Sequence, residues 1–326
     1  MGDPAGCGPQ ITAKAWQVLR QTEALAFAVI ADARIFSGLC DFVEVQSPGA
    51  APEIFRQAMP IIPLNSTHEL EVVPGQPDLA AASAIIQSIE MATRLCLRGE
   101  ASALVTNPIS KELLYKAGFS HPGHTEFLAS LCSEGSEPIT TPVMMLVGGG
   151  LRVALATIHM PLMQVGSHLT TELLVDVARK TAKALAHDFG LPSPRLAFTG
   201  LNPHAGENGT IGREEVDIIN PAAAILREEG IAISDARPAD TVFHESLEGR
   251  FDGIIAMTHD QGLIPVKTLD IWGGVNTTLG LPIIRTSPDH GTAYDAAREG
   301  TCRPDSLIAA IKLARSMAGN RAAVHA

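Results

Sequence analysis

The sequence predicts an α/β protein with a mostly parallel sheet and an antiparallel portion, and three observations carry that expectation. Short apolar runs alternate with longer stretches of helical periodicity along most of the chain. Two apolar runs, at 143–147 and 151–156, are joined by Gly148-Gly149-Gly150, which reads as a hairpin turn. The 326 residues are 46% hydrophobic and 18% charged, so the chain can bury a sizeable core in one large unit or two lobes.

The elements follow in order. The chain opens in a glycine- and proline-rich turn, MGDPAGCGP, and passes at once into helical spacing at Ile11, Ala15, Val18 and Leu19. Such a turn normally follows a buried strand, so the first strand is expected to lie upstream of residue 1 and to be missing. An apolar run at 24–31 and a mixed stretch with Pro48, Pro52, Pro60 and Pro63 come next. A long helix is predicted over 79–97, with Ile85, Ile89, Ala92 and Leu95 on one face. Strands are then predicted at 103–105, 143–147, 153–156, 196–198 and 254–256, and helices at 173–186, 216–229 and 306–317. With no repeat, low-complexity tract or Pro/Ser linker, any two lobes must be interleaved rather than strung in series.

Composition excludes several classes of function. Twenty-four Lys and Arg against 35 Asp and Glu leave a net charge of −11, which argues against nucleic-acid and anionic-membrane partners. Aromatic residues are 4% of the chain, too few for a base-stacking platform. The five cysteines (Cys7, Cys40, Cys96, Cys132, Cys302) form no CxxC pair and read as reduced thiols. No apolar run approaches the roughly 20 residues of a membrane span, and no signal peptide precedes the first motif. A cytoplasmic protein is expected.

Candidate chemistry gathers where predicted strands end. His159, His204 and His259 each follow an apolar strand, and His259 is followed by Asp260. In open α/β sheets ligands bind beyond the carboxyl ends of the strands, so three such histidines can converge on one crevice and hold a divalent metal. Singly, each reads better as a loop histidine; together the three favour a metal site. A second group suits an anion. His124 and Thr125 stand at a turn that opens a helix, and Lys267, Asn276 and Arg285 lie among Gly273, Gly274 and Gly280. Asp260 and Asp240 lie near the metal segments, where a carboxylate orients a ligand or accepts a proton. There is no GxGxxG fingerprint, P-loop or GxSxG elbow.

As a set the motifs are specific. MGDPAG, Thr106-Asn107-Pro108, PGHTEF at 122–127, LNPHAGE at 201–207, THDQG at 258–262 and TSPDHGTA at 286–293 resemble the 4-hydroxythreonine-4-phosphate dehydrogenase family, from Met1 to about Met317. The resemblance implies a relative of the isocitrate and isopropylmalate dehydrogenases, one catalytic unit over 1–326 with two interleaved lobes around a cleft. It also implies a homodimer with shared active sites. His159, His204 and His259 correspond to the family's metal ligands, drawn from both subunits. The metal is zinc, cobalt, manganese or magnesium, and three imidazoles favour zinc or cobalt. His124, Thr125, Lys267, Asn276 and Arg285 correspond to its substrate contacts, with Lys267 also a catalytic candidate beside Asp260 and Asp240. Asp289, His290, Gly291, Thr292 and Ala293 resemble the loop that holds the adenosine half of NAD or NADP. The chain departs just beyond it, with Ala297-Arg298-Glu299-Gly300 where a more glycine-rich stretch is usual.

The expected reaction is metal-dependent oxidation of 4-phosphooxy-L-threonine, a small phosphorylated hydroxy acid, with decarboxylation to 3-amino-2-oxopropyl phosphate, in pyridoxal phosphate biosynthesis. The alternative is oxidation of 4-phospho-D-erythronate or 4-phospho-threonate in sugar-acid catabolism. Aromatic cis-dihydrodiol oxidation fits the phosphate-type residues less well. A non-catalytic two-lobed binding protein would leave the cofactor-loop residues idle.

Overall fold

The computed structural model describes residues 1–22, 25–64, 71–121, 123–133 and 141–325. The chain divides into two compact units, each assembled from separated stretches: Met1–Thr141 with Leu281–Arg315, and Pro142–Gly280 with Ser316–Ala326. The first stretch carries α1 (Gly8–Leu19), β1 (Val29–Ala31), β2 (Phe42–Glu44), α2 (Ala51–Ile54), β3 (Met59–Pro63), α3 (Ala82–Leu97), β4 (Leu104–Val105), α4 (Lys111–Lys116) and α5 (His124–Cys132). The second carries β5 (Val143–Gly148), β6 (Leu151–Leu155), α6 (Leu162–His168), α7 (Thr171–His187), β7 (Leu196–Thr199), α8 (Asn220–Glu228), β8 (Ile233–Arg237), α9 (Val242–Leu247), β9 (Gly253–Ala256), α10 (His259–Leu269) and β10 (Val275–Leu279). The chain then forms β11 (Arg285–Pro288), α11 (Tyr294–Glu299) and α12 (Asp305–His325). No helix among the described residues is long and apolar enough to cross a membrane.

In the first unit β1, β3 and β2 pair in that order, all parallel, with Val29 opposite Ile61 and Phe42 opposite Met59. The apolar run at 24–31 therefore yields a strand only at its end, and residue 24 lies outside the described residues. β4 pairs in parallel with β11, Leu104 opposite Arg285. α1 buries Ile11, Ala15, Trp16 and Leu19, a three-to-four-residue spacing that puts them on one helical face. The Trp16 indole donates to the Phe55 carbonyl at 2.8 Å, which satisfies its polar edge inside the core. The predicted helix at 79–97 is realised as a 3₁₀ turn at Leu79–Ala81, capped by the Asp78 carboxylate, running into α3.

In the second unit the strands lie in the order β10-β5-β6-β9-β7-β8. β10, β5 and β6 are antiparallel neighbours, whereas β6, β9, β7 and β8 run parallel. The hairpin is present: Gly148 faces Leu151, and Gly149 and Gly150 have φ of +58° and +86°. A two-residue turn of this hand needs positive φ at both positions, which only glycine adopts without steric cost. Alternation along β6 and β9 divides two cores. Ala154 and Ile255 face the α7–α8 layer with Leu174, Ala178 and Leu226, whereas Val153, Leu155, Ile254 and Ala256 face Val242, Leu263 and Val266. Coverage on both faces is why these strands read as continuous apolar runs rather than alternating ones. The predicted helix at 216–229 starts as a π-type turn, Glu215–Ile219, before α8.

Candidate active site

His159, His204 and His259 follow the carboxyl ends of β6, β7 and β9. These three strands are adjacent and parallel, so their carboxyl ends share one edge of the sheet, the edge where open α/β sheets bind ligands. Two of the histidines meet: the His159 and His259 rings are 5.4 Å apart at their centroids. Their loops are tied together by buried Thr157, whose hydroxyl donates to the Met257 carbonyl at 2.6 Å. His259 Nδ1 lies 2.8 Å from Asp260 Oδ1. With Nδ1 donating its proton there, Nε2 would carry the lone pair that a metal takes, an arrangement that suits Asp260 to orient this ring. Asp240 is exposed, in the turn after β8.

From the sequence alone, 259–262 reads as the start of a glycine-containing loop; it is instead the first turn of α10, and Gly262 is a helix residue. A Cβ on Gly262 would lie 2.5 Å from Leu155 Cδ2 and 3.3 Å from Ala256 Cβ. Glycine is there so that the helix can lie close against the sheet. Gln261, which sequence reasoning did not single out, anchors this start. Its Oε1 accepts from Thr199 Oγ1 at 2.6 Å and from the Met257 amide at 2.8 Å, and its Nε2 donates to the Gly200 carbonyl at 2.8 Å. The THDQG motif at 258–262, which contains it, was the available signal. Lys267 lies two turns further along α10, and Asn276 lies on β10 opposite Leu146.

His204 begins an unusual backbone. His204, Ala205, Gly206, Glu207 and Asn208 have φ of 53°, 51°, 73°, 42° and 56°, one continuous left-handed turn. Left-handed helical backbone costs about 1–2 kcal/mol per non-glycine residue, so four such residues must be held by their surroundings. The Glu215 carboxylate does so. It is 1% exposed, and its Oε1 accepts from the Leu201 and Asn202 amides, both at 2.8 Å. Among the described residues no three His, Cys, Asp or Glu side chains are grouped closely enough to hold a metal ion. One chain thus unites His159 and His259 but not all three histidines. The paired imidazoles and the Asp260 contact fit a metal for two of its ligands.

The first unit carries three of the five residues expected to meet an anion, His124, Thr125 and Arg285, whereas Lys267 and Asn276 lie in the second. Arg285, on β11, is 4% exposed, and its Nε and a terminal nitrogen donate to Thr106 Oγ1 at 3.2 and 2.8 Å. Burial lowers its pKa to about 10, still charged at neutral pH. His124 opens α5 with Thr125 beside it, and its Nε2 is buried with no hydrogen-bond partner among the described residues. Burial first, and then the charges of Arg285 and Lys111, hold the His124 imidazole well below its usual pKa. A neutral ring with an unmet polar atom and a buried guanidinium suit an anion that would bring its own acceptors. Lys111 and Thr106 were not singled out; Thr106 belongs to the quoted TNP motif, and Lys111 gave no signal. Residue 122 lies outside the described residues.

The segment resembling an adenosine loop follows β11. The Asp289 amide donates to Ser306 Oγ at 3.1 Å, His290 Nδ1 lies 2.9 Å from the Gly291 carbonyl, and the Thr292 carbonyl accepts from the Cys7 amide at 2.8 Å. Ala293 is left-handed at φ 48° and precedes α11. Gly300, where the sequence departs from the usual pattern, ends α11 at φ +73°. Cys7 has its thiol pushed up to about 12, chiefly by burial, which rules it out as a thiolate at neutral pH.

Known proteins share this fold. The structure superposes on a solved 4-hydroxythreonine-4-phosphate dehydrogenase from Klebsiella pneumoniae with a TM-score of 0.86, at 35% identity over 98% of each chain. A terephthalate 1,2-cis-dihydrodiol dehydrogenase from Burkholderia xenovorans LB400 gives 0.67 at 28% identity, over 97% of this chain and 96% of that one. Fold and relatives define an oxidoreductase of the dehydrogenase class. The family model described as pyridoxal phosphate biosynthetic protein PdxA matches residues 14–314. A 4-hydroxythreonine-4-phosphate dehydrogenase of Caulobacter vibrioides is 52% identical over 326 residues, covering 98% of this chain and 96% of that one. Its counterpart in Maricaulis maris is 49% identical over 332 residues, covering 99% and 97%. The chain belongs to the PdxA family.

Proposed function

We propose that this chain oxidises 4-phosphooxy-L-threonine with NAD or NADP and releases 3-amino-2-oxopropyl phosphate and carbon dioxide, in the cytoplasmic synthesis of pyridoxal phosphate. The observation that carries this reading is the pairing, in one chain, of an imidazole couple beyond adjacent parallel strands with a buried guanidinium beside an unpartnered imidazole. The first suits a divalent metal and the second a phosphomonoester. The names of the relatives point the same way.

Arg285 pairs with the phosphate through charge-assisted hydrogen bonds, each contributing about 1.5–3 kcal/mol. His124, kept neutral, supplies a further polar contact through Nε2, with Thr125 beside it, and Lys267 and Asn276 are the remaining substrate contacts. His159 and His259 hold the metal, with His204 from a second copy, and Asp260 keeps the His259 ring in the tautomer that ligation needs. A divalent cation bound there supplies Lewis-acid polarisation of the substrate's secondary hydroxyl. A bound nicotinamide would supply the hydride acceptor for the carbon bearing that hydroxyl, and the hydroxyl proton would pass to a base. Lys267 and Asp240 are the base candidates. The ketone lies β to the carboxylate, so the carbon–carbon bond to the carboxylate breaks readily, releasing carbon dioxide. A proton then returns to the carbon left behind. The loop at Asp289, His290, Gly291, Thr292 and Ala293 holds the adenosine half of the cofactor.

The test is turnover. Purified protein supplied with cobalt or magnesium is given 4-phosphooxy-L-threonine, 4-phospho-D-erythronate or an aromatic cis-dihydrodiol at matched concentration, and reduction of the nicotinamide is followed by absorbance. Highest kcat/KM on the amino acid phosphate is expected. A preference for the erythronate would move the enzyme to sugar-acid catabolism, and turnover of the dihydrodiol alone would remove the phosphate from the reading.

A further inference from the structure

We infer that Glu215 is the positioning residue for His204, a buried carboxylate clamp that holds the left-handed turn in the conformation that presents the imidazole. The inference rests on the reading of His204 as a metal ligand. The clamp grips the chain on both sides of that histidine. Ahead of it, Oε1 accepts the amides of Leu201 and Asn202, both at 2.8 Å. These donors lie just past the end of β7, where the sheet no longer supplies acceptors and the carboxylate does. Behind it, Gly206 abuts the other oxygen: a Cβ there would stand 2.5 Å from Glu215 Oε2. Gly200 is pressed from the opposite direction, since a Cβ on it would lie 2.8 Å from Ala205 Cα and 3.2 Å from Glu215 Oε1.

The Asn202 side chain completes the clamp. Its Nδ2 donates to Glu214 Oε2 at 2.7 Å and to Glu215 Oε2 at 3.0 Å, so one amide is held between two successive acids. Those acids stand at the opening of the π-type turn Glu215–Ile219. Single-turn π segments inside helices are uncommon and concentrate at functional sites. A carboxylate is an acceptor with about four lone-pair sites, which suits a pocket lined by three N–H donors. His204 itself is exposed. The strain of the turn and the buried charge that offsets it thus serve to fix where an exposed imidazole stands, which packing alone does not require.

The experiment compares Glu215→Ala, Glu215→Gln, Gly206→Ala and His204→Ala in the full chain. Amide hydrogen exchange of the metal-free protein reads the turn, and titration with cobalt(II), followed by its visible absorption, reads the imidazole. Glu215→Ala is expected to speed exchange at Leu201 and Asn202 and to weaken cobalt binding by about 10–100-fold, the usual cost of losing a residue that orients a ligand. Glu215→Gln is expected to recover most of both, because its amide oxygen still accepts the two backbone donors. If Glu215→Ala does not fold, Gly206→Ala makes the same comparison from the turn side. Unchanged exchange at Leu201 and Asn202 overturns the clamp. Faster exchange with cobalt affinity intact, while His204→Ala loses it, overturns the positioning role. Cobalt affinity insensitive to both His204→Ala and Glu215→Ala overturns the metal assignment of His204 instead, a distinct failure.

Discussion

His124 shows how burial decides the chemistry of a single side chain. The imidazole is held neutral by desolvation first, and then by the positive charges of Arg285 and Lys111. Its folded pKa therefore lies below the ordinary value of 6.5 that it regains on unfolding. Above pH 6.5 both states are neutral and the group contributes nothing to the pH dependence. As pH falls below that value the unfolded chain takes up a proton that the folded one refuses, so stability is lost. Replacing His124 with Gln removes this component. Urea midpoints measured from pH 7.5 to 5 should fall more steeply for the natural protein than for His124→Gln, and other groups that titrate in both proteins cancel in the comparison. Parallel curves would mean that the ring is protonated as readily in the fold as out of it.

At the scale of elements, α10 joins the packing of the second unit to its chemistry. Its first residue is His259, its third is Gln261, and its fourth, Gly262, is the point of closest approach to the sheet. A valine there would press on Leu155, Val153 and Ala256, and the Ala256 Cβ, fixed to the backbone, has no rotamer by which to give way. Overpacking of this kind costs about 1–3 kcal/mol. Gly262→Val should lower the melting temperature and, by displacing the helix start, weaken cobalt binding without touching a ligand. An unaltered melting temperature would mean that α10 moves away from the sheet freely. In the hairpin of β5 and β6 the glycines serve turn geometry, and Gly149 also leaves room for the end of α10, since a Cβ there would lie 2.5 Å from Leu269 Cβ.

At the scale of the whole molecule, one chain pairs His159 with His259 and leaves no group of three candidate ligands among the described residues. We propose that a second copy supplies His204, making an isologous homodimer with two shared sites. Large apolar side chains near the ligands are consistent with a covered face: Leu162 and Met163, just past His159, are 72% and 93% exposed, and Ile264 on α10 is 64% exposed. Complementation tests the sharing. His204→Ala and His259→Ala are each expected to be inactive, and mixing them with subunit exchange should restore part of the activity. In a heterodimer with shared sites, one site carries both lesions and the other neither. A mixture that stays inactive despite demonstrated heterodimers would mean that each site is built from one chain.

Much of this was legible in the sequence, because the signals are local. Apolar runs ending in His159, His204 and His259, the triple-glycine hairpin and the helical periods at 79–97 and 173–186 need only the nearest residues in the chain to be read. The motif set identified the family for the same reason. What the sequence did not disclose depends on contacts between distant residues. Gly262 read as a loop glycine because its purpose, room for Leu155 and Ala256, appears only when α10 lies on β6 and β9. β2, β3, β8 and β10 carry too few apolar residues, or too many prolines, to stand out without their partner strands. The left-handed turn at His204 was hidden altogether, since four non-glycine residues disfavour it locally and a carboxylate eleven positions later makes it stable. The sequence by itself determined which residue types stand ready for metal, phosphate and nucleotide. Tertiary structure alone decided which of them meet, because a histidine pair, a buried guanidinium and a strained turn are held by neighbours that adjoin them in space and not in the chain.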